Sequence, residues 1–199
     1  LMDYARNGAF RSKGGRSLFQ DGEIALMLAI RRLVAEKPEY VPLLRDRVEA
    51  MVAYMSESPV LSGESYPDEC WTFCNVVALT AIRIQGVLDG VDQTGFCARW
   101  IALAQQKLRD PRTGLLISSY SFQGDPYDGP EGSSIWMVAH CLQLLDSEFA
   151  ADQYRRACHE LRRSVLGFGY AEEWPRSWKG VADVDSGPII PVFEASAGS

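Results

Sequence analysis

The stretch DECWTFCNVVALTAIRIQGVL, Asp68 to Leu88, decides the fold. Trp71, Phe73, Val76, Val77, Leu79, Ile82 and Ile84 leave it little polar surface, which predicts a helix buried on more than one side. The following segment, about Gln93 to Leu108, is more amphipathic and predicts a helix with one face in solvent. The same alternation stands on both sides of this pair. Upstream, Asp21 to Ala35 is broadly apolar and ends before Pro38, and Tyr40 to Ser56 gathers Val41, Leu44, Val48, Met51, Val52 and Met55 on one stripe. Downstream, Ser133 to Leu145 is apolar, and Glu148 to Val165 carries Arg155, Arg156, Glu160, Arg162 and Arg163.

Three rounds of this pattern predict an all-α fold, an α/α toroid of helical hairpins around a central pocket. Inner helices touch neighbours on every side, whereas outer ones do so on one. Three hairpins are half of a six-hairpin ring, and the pattern asks for another inner helix at the C-terminal end. A partial ring is therefore expected, either a segment of a longer toroid or one completed by a partner. Residues 1–17, polar and glycine-rich, read as a mobile N-terminal arm, and 18–199 as a single domain. Two long Gly/Pro-rich aromatic segments, Asp110 to Gly132 and Gly167 to Pro191, separate helices; their stretches Leu115 to Phe122 and Phe168 to Tyr170 predict small β-hairpins. Connections of this length suit binding or lid loops.

Composition narrows the function. A chain of 199 residues, 47% hydrophobic, can bury one sizeable core. A net charge of -6 and a pI near 5.0 leave no basic face for a phosphate backbone, which argues against nucleic-acid binding. No apolar run approaches the roughly 20 residues that span a bilayer, so a soluble protein with no membrane partner is expected. Five cysteines at irregular spacing suit free thiols in a reducing cytoplasm better than a disulfide framework. Cys70 and Cys74 lack a second Cys/His pair at zinc spacing, and neither a Walker A sequence nor Gly-x-Gly-x-x-Gly occurs, so no metal or cofactor is expected.

Acidic phrases precede the apolar helices: Gln20 to Glu23, Tyr66 to Glu69, Gly129 to Ser134 and Asp183 to Pro188. Each on its own is a helix cap, since carboxylates and hydroxyls satisfy free N–H groups at the positive end of the dipole. Parallel inner helices would bring them to one mouth, where carboxylates in a partly apolar pocket acquire the spread pKa values that acid–base work requires. Glu23, Asp68 and Asp185 are the candidate proton carriers, and Cys74 the candidate acid or nucleophile. The plain alternative for Cys74 is a small buried hydrophobe, and for His140 a core histidine. Tyr66, Trp71, Asn75, Glu131, Trp136, His140, Asp183, Trp174 and Trp178 are the candidate pocket lining; the two last, beside Pro175 and Gly180, suit the wall of an apolar or sugar-binding pocket.

The stretch from Ser65 to Asn75 resembles linalool dehydratase/isomerase and the α/α-barrel proteins similar to it. There a Cys-Glu-Pro-Asp segment leads, nine positions after its first cysteine, to a second cysteine followed by asparagine. Pro67 and Asp68 match Pro-Asp, Cys74 and Asn75 match Cys-Asn, and the spacing holds from Ser65 to Cys74. The following helix and Trp100 also fit, so the likeness covers about Gly63 to Trp100. Two positions depart from the family: its first catalytic cysteine is Ser65 here, and its catalytic histidine falls on Glu23. Its catalytic aspartate and tyrosine have no match here. The resemblance implies the helical frame, the pocket and a cofactor-independent lyase or isomerase acting on a small neutral molecule, with sites near subunit contacts in a homo-oligomer. Two other readings stand beside it: a carbohydrate-active hydrolase or epimerase with paired carboxylates, and a non-catalytic α/α scaffold that binds a ligand through its loops.

Overall fold

The computed structural model describes residues 9–180, 187–190 and 192–197. Among the described residues six helices form three consecutive hairpins: α1 (Leu18–Val34) with α2 (Tyr40–Met55), α3 (Thr72–Asp89) with α4 (Thr94–Lys107), and α5 (Gly132–Leu142) with α6 (Ser147–Glu160). The first helix of each hairpin packs beside the next, in the order α1, α3, α5. Small residues make this possible. Gly22, Ala25 and Ala29 lie on the buried stripe of α1, and a Cβ at Gly22 would sit 3.3 Å from the Cβ and backbone N of Ala78 on α3.

The three helices run parallel. At one end Ser17 Oγ donates to Ser65 O at 2.6 Å and Leu18 N to Glu64 O at 2.8 Å, just ahead of α3. At the other end the Arg32 guanidinium donates to Asp89 at 2.7 Å. Thr72 of α3 and Ser134 and Ile135 of α5 share one contact region, which aligns their starts as well.

The all-α class is overturned. Two antiparallel sheets accompany the helices: β1 (Cys70–Trp71), β2 (Ser119–Tyr120) and β3 (Pro126–Asp128) in one, and β4 (Arg162–Val165) with β5 (Phe168–Ala171) in the other. The fold is thus mixed, with helices and sheets. The expected helix from Asp68 begins only at Thr72, because Asp68 adopts a left-handed φ of 61° and Cys70 and Trp71 pair with Tyr120 and Ser119. The expected helix to Val165 ends at Glu160, because Arg162 to Val165 pair with Phe168 to Ala171. The expected strands within the long Gly/Pro-rich segments are present as β2 and β5, and β3 joins β2.

Residues 9–17 lie against the turn that precedes α3: Arg11 N donates to Glu64 at 2.7 Å, and the Arg11 guanidinium pairs with Asp68 at 2.9 Å. Beneath that turn sits the polar part of the core. Tyr120, wholly buried, shares a hydrogen bond of 2.9 Å with Ser62, to which Trp100 Nε1 donates at 3.3 Å. Glu64, also wholly buried, accepts from Tyr54 OH at 2.6 Å and from Asp68 N at 2.9 Å, so no lone pair of consequence is stranded. No helix among the described residues is long and apolar enough to cross a membrane.

Candidate functional site

The chemistry gathers where the first turns of α1 and α3 meet. Cys74 stands in the first turn of α3, buried, with its thiol hydrogen-bonded to the Ser65 side chain. Ser65 is held in turn: its Oγ accepts from Trp71 N at 3.2 Å, its N donates to Glu69 O at 2.8 Å and its carbonyl accepts from Ser17 Oγ. Burial pushes the Cys74 thiol up to about 12; the Ser65 hydrogen bond works against this, and the carboxylates of Glu23 and Glu69 add to it. Cys74 is therefore a protonated thiol at neutral pH, an acid rather than a ready nucleophile.

Glu23, in the second turn of α1, acts electrostatically on Cys74 of α3 and also on Cys141 of α5, whose thiol is raised first by burial. The charge of one carboxylate thus acts on thiols of both α3 and α5. Glu69 is fixed by Trp71 Nε1, which donates to it at 2.9 Å. Tyr66 approaches the ring of Phe19 on α1 at 6.4 Å between centroids. Ser65, Glu69, Trp71 and Cys74 are therefore tied together by hydrogen bonds, and the charge of Glu23 acts on the thiol from α1.

Other candidates are placed elsewhere. Asp68 faces Arg11 and bears on Cys70 and Tyr127, raising both, and is absent from the groups that act most on Cys74. Asn75 is wholly buried and bonded to backbone on three sides: it accepts from Gly63 N at 2.9 Å and donates to Gly63 O and Trp71 O. It fixes the loop onto α3. Glu131 is buried at the start of α5, Trp136 packs edge-on against Tyr154 of α6, and His140 is exposed. Trp174 is buried, and Trp178 lies against the backbone at Gly129 and Gly180, where an added Cβ would come within 2.6 Å and 2.5 Å of the indole. The Trp178 ring is thus packed against backbone of the protein itself at Gly129 and Gly180. Asp183 and Asp185 lie outside the described residues.

The helix starts are aligned, yet loops cover them. Thr72 N donates to Ser118 O at 2.9 Å, Gly132 N to Glu173 O at 2.7 Å and Ser133 Oγ to the Glu173 carboxylate at 2.7 Å. The leading N–H groups of α3 (Thr72) and α5 (Gly132) are consequently satisfied by segments that follow in sequence. Sequence reasoning missed the wholly buried acids Glu64 and Glu173. A signal for the first was present, an isolated acid within the small-residue run Ser62-Gly63-Glu64-Ser65; nothing local marks the second.

Among the described residues no group of three or more His, Cys, Asp or Glu is arranged to hold a metal ion. A scan against protein-family models finds no match to this chain, and no curated protein matches it. The arrangement around Cys74 is accordingly what the functional reading stands on.

Proposed function

We propose that this protein is a cofactor-independent lyase or isomerase that performs acid–base chemistry on a small neutral organic molecule beside Cys74. The observation that carries the reading is a buried, protonated thiol hydrogen-bonded to Ser65 and raised further by the charge of the Glu23 carboxylate on the adjacent helix α1. An acid and a base of different character at one place are the minimum for eliminating water. The Cys74 thiol gives its proton to the oxygen of the C–O bond that breaks, and water leaves. Glu23 takes a proton from the adjacent carbon, and the electron pair of that C–H bond becomes the new C=C bond. Return of the proton from Glu23 to the thiolate restores both groups. Phe19, Tyr66 and Trp71 supply the aromatic surroundings that favour an uncharged substrate. The resemblance around Pro67-Asp68 and Cys74-Asn75 points the same way. All five cysteines are free, which supports a reducing compartment such as the cytoplasm.

The carbohydrate reading has less support, because Trp174 and Trp178 are used in packing.

The test is turnover of a panel of small neutral alcohols in deuterated water, followed by mass spectrometry for loss of water and for deuterium at carbon. Cys74→Ala and Glu23→Gln should each reduce both signals by about 100-fold or more. No turnover across the panel, or turnover unchanged in the double variant, overturns the reading.

A further inference from the structure

Glu64 takes no part in the proposed proton transfers, yet it is wholly buried and each of its polar atoms is held. Its N donates to Tyr54 OH at 3.3 Å, and its carbonyl accepts from Leu18 N at 2.8 Å. In the side chain, Oε1 accepts from Asp68 N at 2.9 Å, and Oε2 accepts from Arg11 N at 2.7 Å and from Tyr54 OH at 2.6 Å. The Arg11 guanidinium lies 3.4 Å from Oε1. Burying a carboxylate is costly unless donors and opposite charge surround it. Here they come from residues 9–17, the start of α1, the last turn of α2 and the turn at Asp68.

This clamp bears on Ser65. The bond from Asp68 N closes the turn that carries Ser65 and Glu69, at the point where Asp68 has its left-handed φ of 61°. On the other side Gly63 is tied to α3, its N donating to Asn75 at 2.9 Å and its carbonyl accepting from the Asn75 amide at 3.2 Å. Between these anchors Ser65 is placed with its Oγ on Trp71 N and on the Cys74 thiol. An amide at position 64 cannot do the same, since it has one acceptor oxygen and its NH2 would face either Asp68 N or the pair Arg11 N and Tyr54 OH. The effect on Cys74 is one of placement more than of charge. Cys70 is raised first by burial and next by the charge of Glu64, whereas Glu64 is absent from the groups that act most on Cys74.

We propose that Glu64 is the positioning residue of the candidate site: through its hydrogen bonds to Tyr54, Arg11 and Asp68 it holds Ser65 against the Cys74 thiol. The last turn of α2 and residues 9–17 thereby set the orientation of a thiol they do not touch. The role rests on the reading of Cys74 as the acid of the site.

The test is infrared spectroscopy of the 199-residue chain, in which the S–H stretching band of Cys74 is identified as the one lost in Cys74→Ala. Ser65→Ala should move this band to higher wavenumber, as expected of a thiol that has lost its hydrogen bond. Glu64→Gln should reproduce that shift with an unchanged helical circular dichroism spectrum. Tyr54→Phe, which keeps the ring stacked on Phe122, should move the band the same way by less, and carries the test if Glu64→Gln does not fold. Asp89→Asn, which weakens the remote ends of α1 and α3, should leave the band in place. The proposal is overturned by a band unmoved in Ser65→Ala, by one unmoved in Glu64→Gln or Tyr54→Phe, or by an equal shift in Asp89→Asn. Turnover of the alcohol panel is read separately: a shifted band without turnover removes the lyase reading and leaves the positioning role, and turnover with an unmoved band does the reverse.

Discussion

Arg32 donates to Asp89 at 2.7 Å across the far ends of α1 and α3, and the two side chains are only 3% and 5% exposed. The pair fixes the parallel alignment of these helices at the end remote from Cys74. Burial works to raise the Asp89 carboxyl, but hydrogen bonds from Arg32 and Gln85 and the charge of Arg45 outweigh it and hold it below the usual aspartate range. A carboxyl depressed in the folded state adds stability above its unfolded pKa of about 3.9, and that stability is lost as pH falls through the folded value. Asp89→Asn leaves a buried guanidinium with Glu36 alone and should cost about 3 kcal/mol in urea unfolding at pH 7. The difference from the parent protein should shrink on going to pH 3. An equal difference at both pH values would contradict the assignment.

The thiols should separate by burial. At pH 8 an alkylating agent should modify Cys158 first, since Cys70, Cys74, Cys97 and Cys141 are buried. Burial pushes Cys97 up to about 11 without a contribution from Glu23, whereas Glu23 raises Cys74 and Cys141. Glu23→Gln should therefore move the pH profile of labelling to lower pH at Cys74 and Cys141 and leave Cys97 unmoved. Peptide mass spectrometry across pH reads this directly, and a uniform shift at all three would show a general loosening instead.

Gly132 marks the tightest packing at the start of α5. A Cβ there would stand 2.3 Å from the Glu172 carbonyl and 2.9 Å from Ser196 Oγ. Gly132→Ala should destabilise by about 2–3 kcal/mol, because the Glu172 backbone and the Ser196 side chain must both move. Gly95, in the first turn of α4, meets nothing within 4 Å, and Gly95→Ala should leave stability unchanged or raise it by up to about 1 kcal/mol. Thermal unfolding of the two variants side by side separates a steric cause from a loss of glycine as such.

Much of the helical frame is legible in the sequence, because the spacing of apolar residues is a local property. All six helices fall where apolar and amphipathic stretches alternate, and Phe168 to Tyr170 fall in a hairpin strand as expected. What escapes the sequence depends on distant partners. Cys70 and Trp71 read as helix until Ser119 and Tyr120 pair with them, and Arg162 to Val165 until the chain turns back at Leu166 and Gly167. Around the candidate site, residue type and spacing single out Cys74 and Glu23 as candidates. The role of Glu69 could not, since it depends on the indole of Trp71 two residues on. Trp178 reads as a free platform because its two glycine neighbours in space, Gly129 and Gly180, are separated by fifty-one residues of sequence.

The pairing of Cys70 with Tyr120 has a kinetic consequence. The start of α3 takes its final form only when a loop of roughly fifty residues has closed, and contacts of that separation form late because chain entropy must be spent before they reward it. During synthesis or refolding, Cys74 spends that interval as an ordinary accessible thiol, exposed to oxidants, and gains its protection only once the segment around residue 120 has arrived.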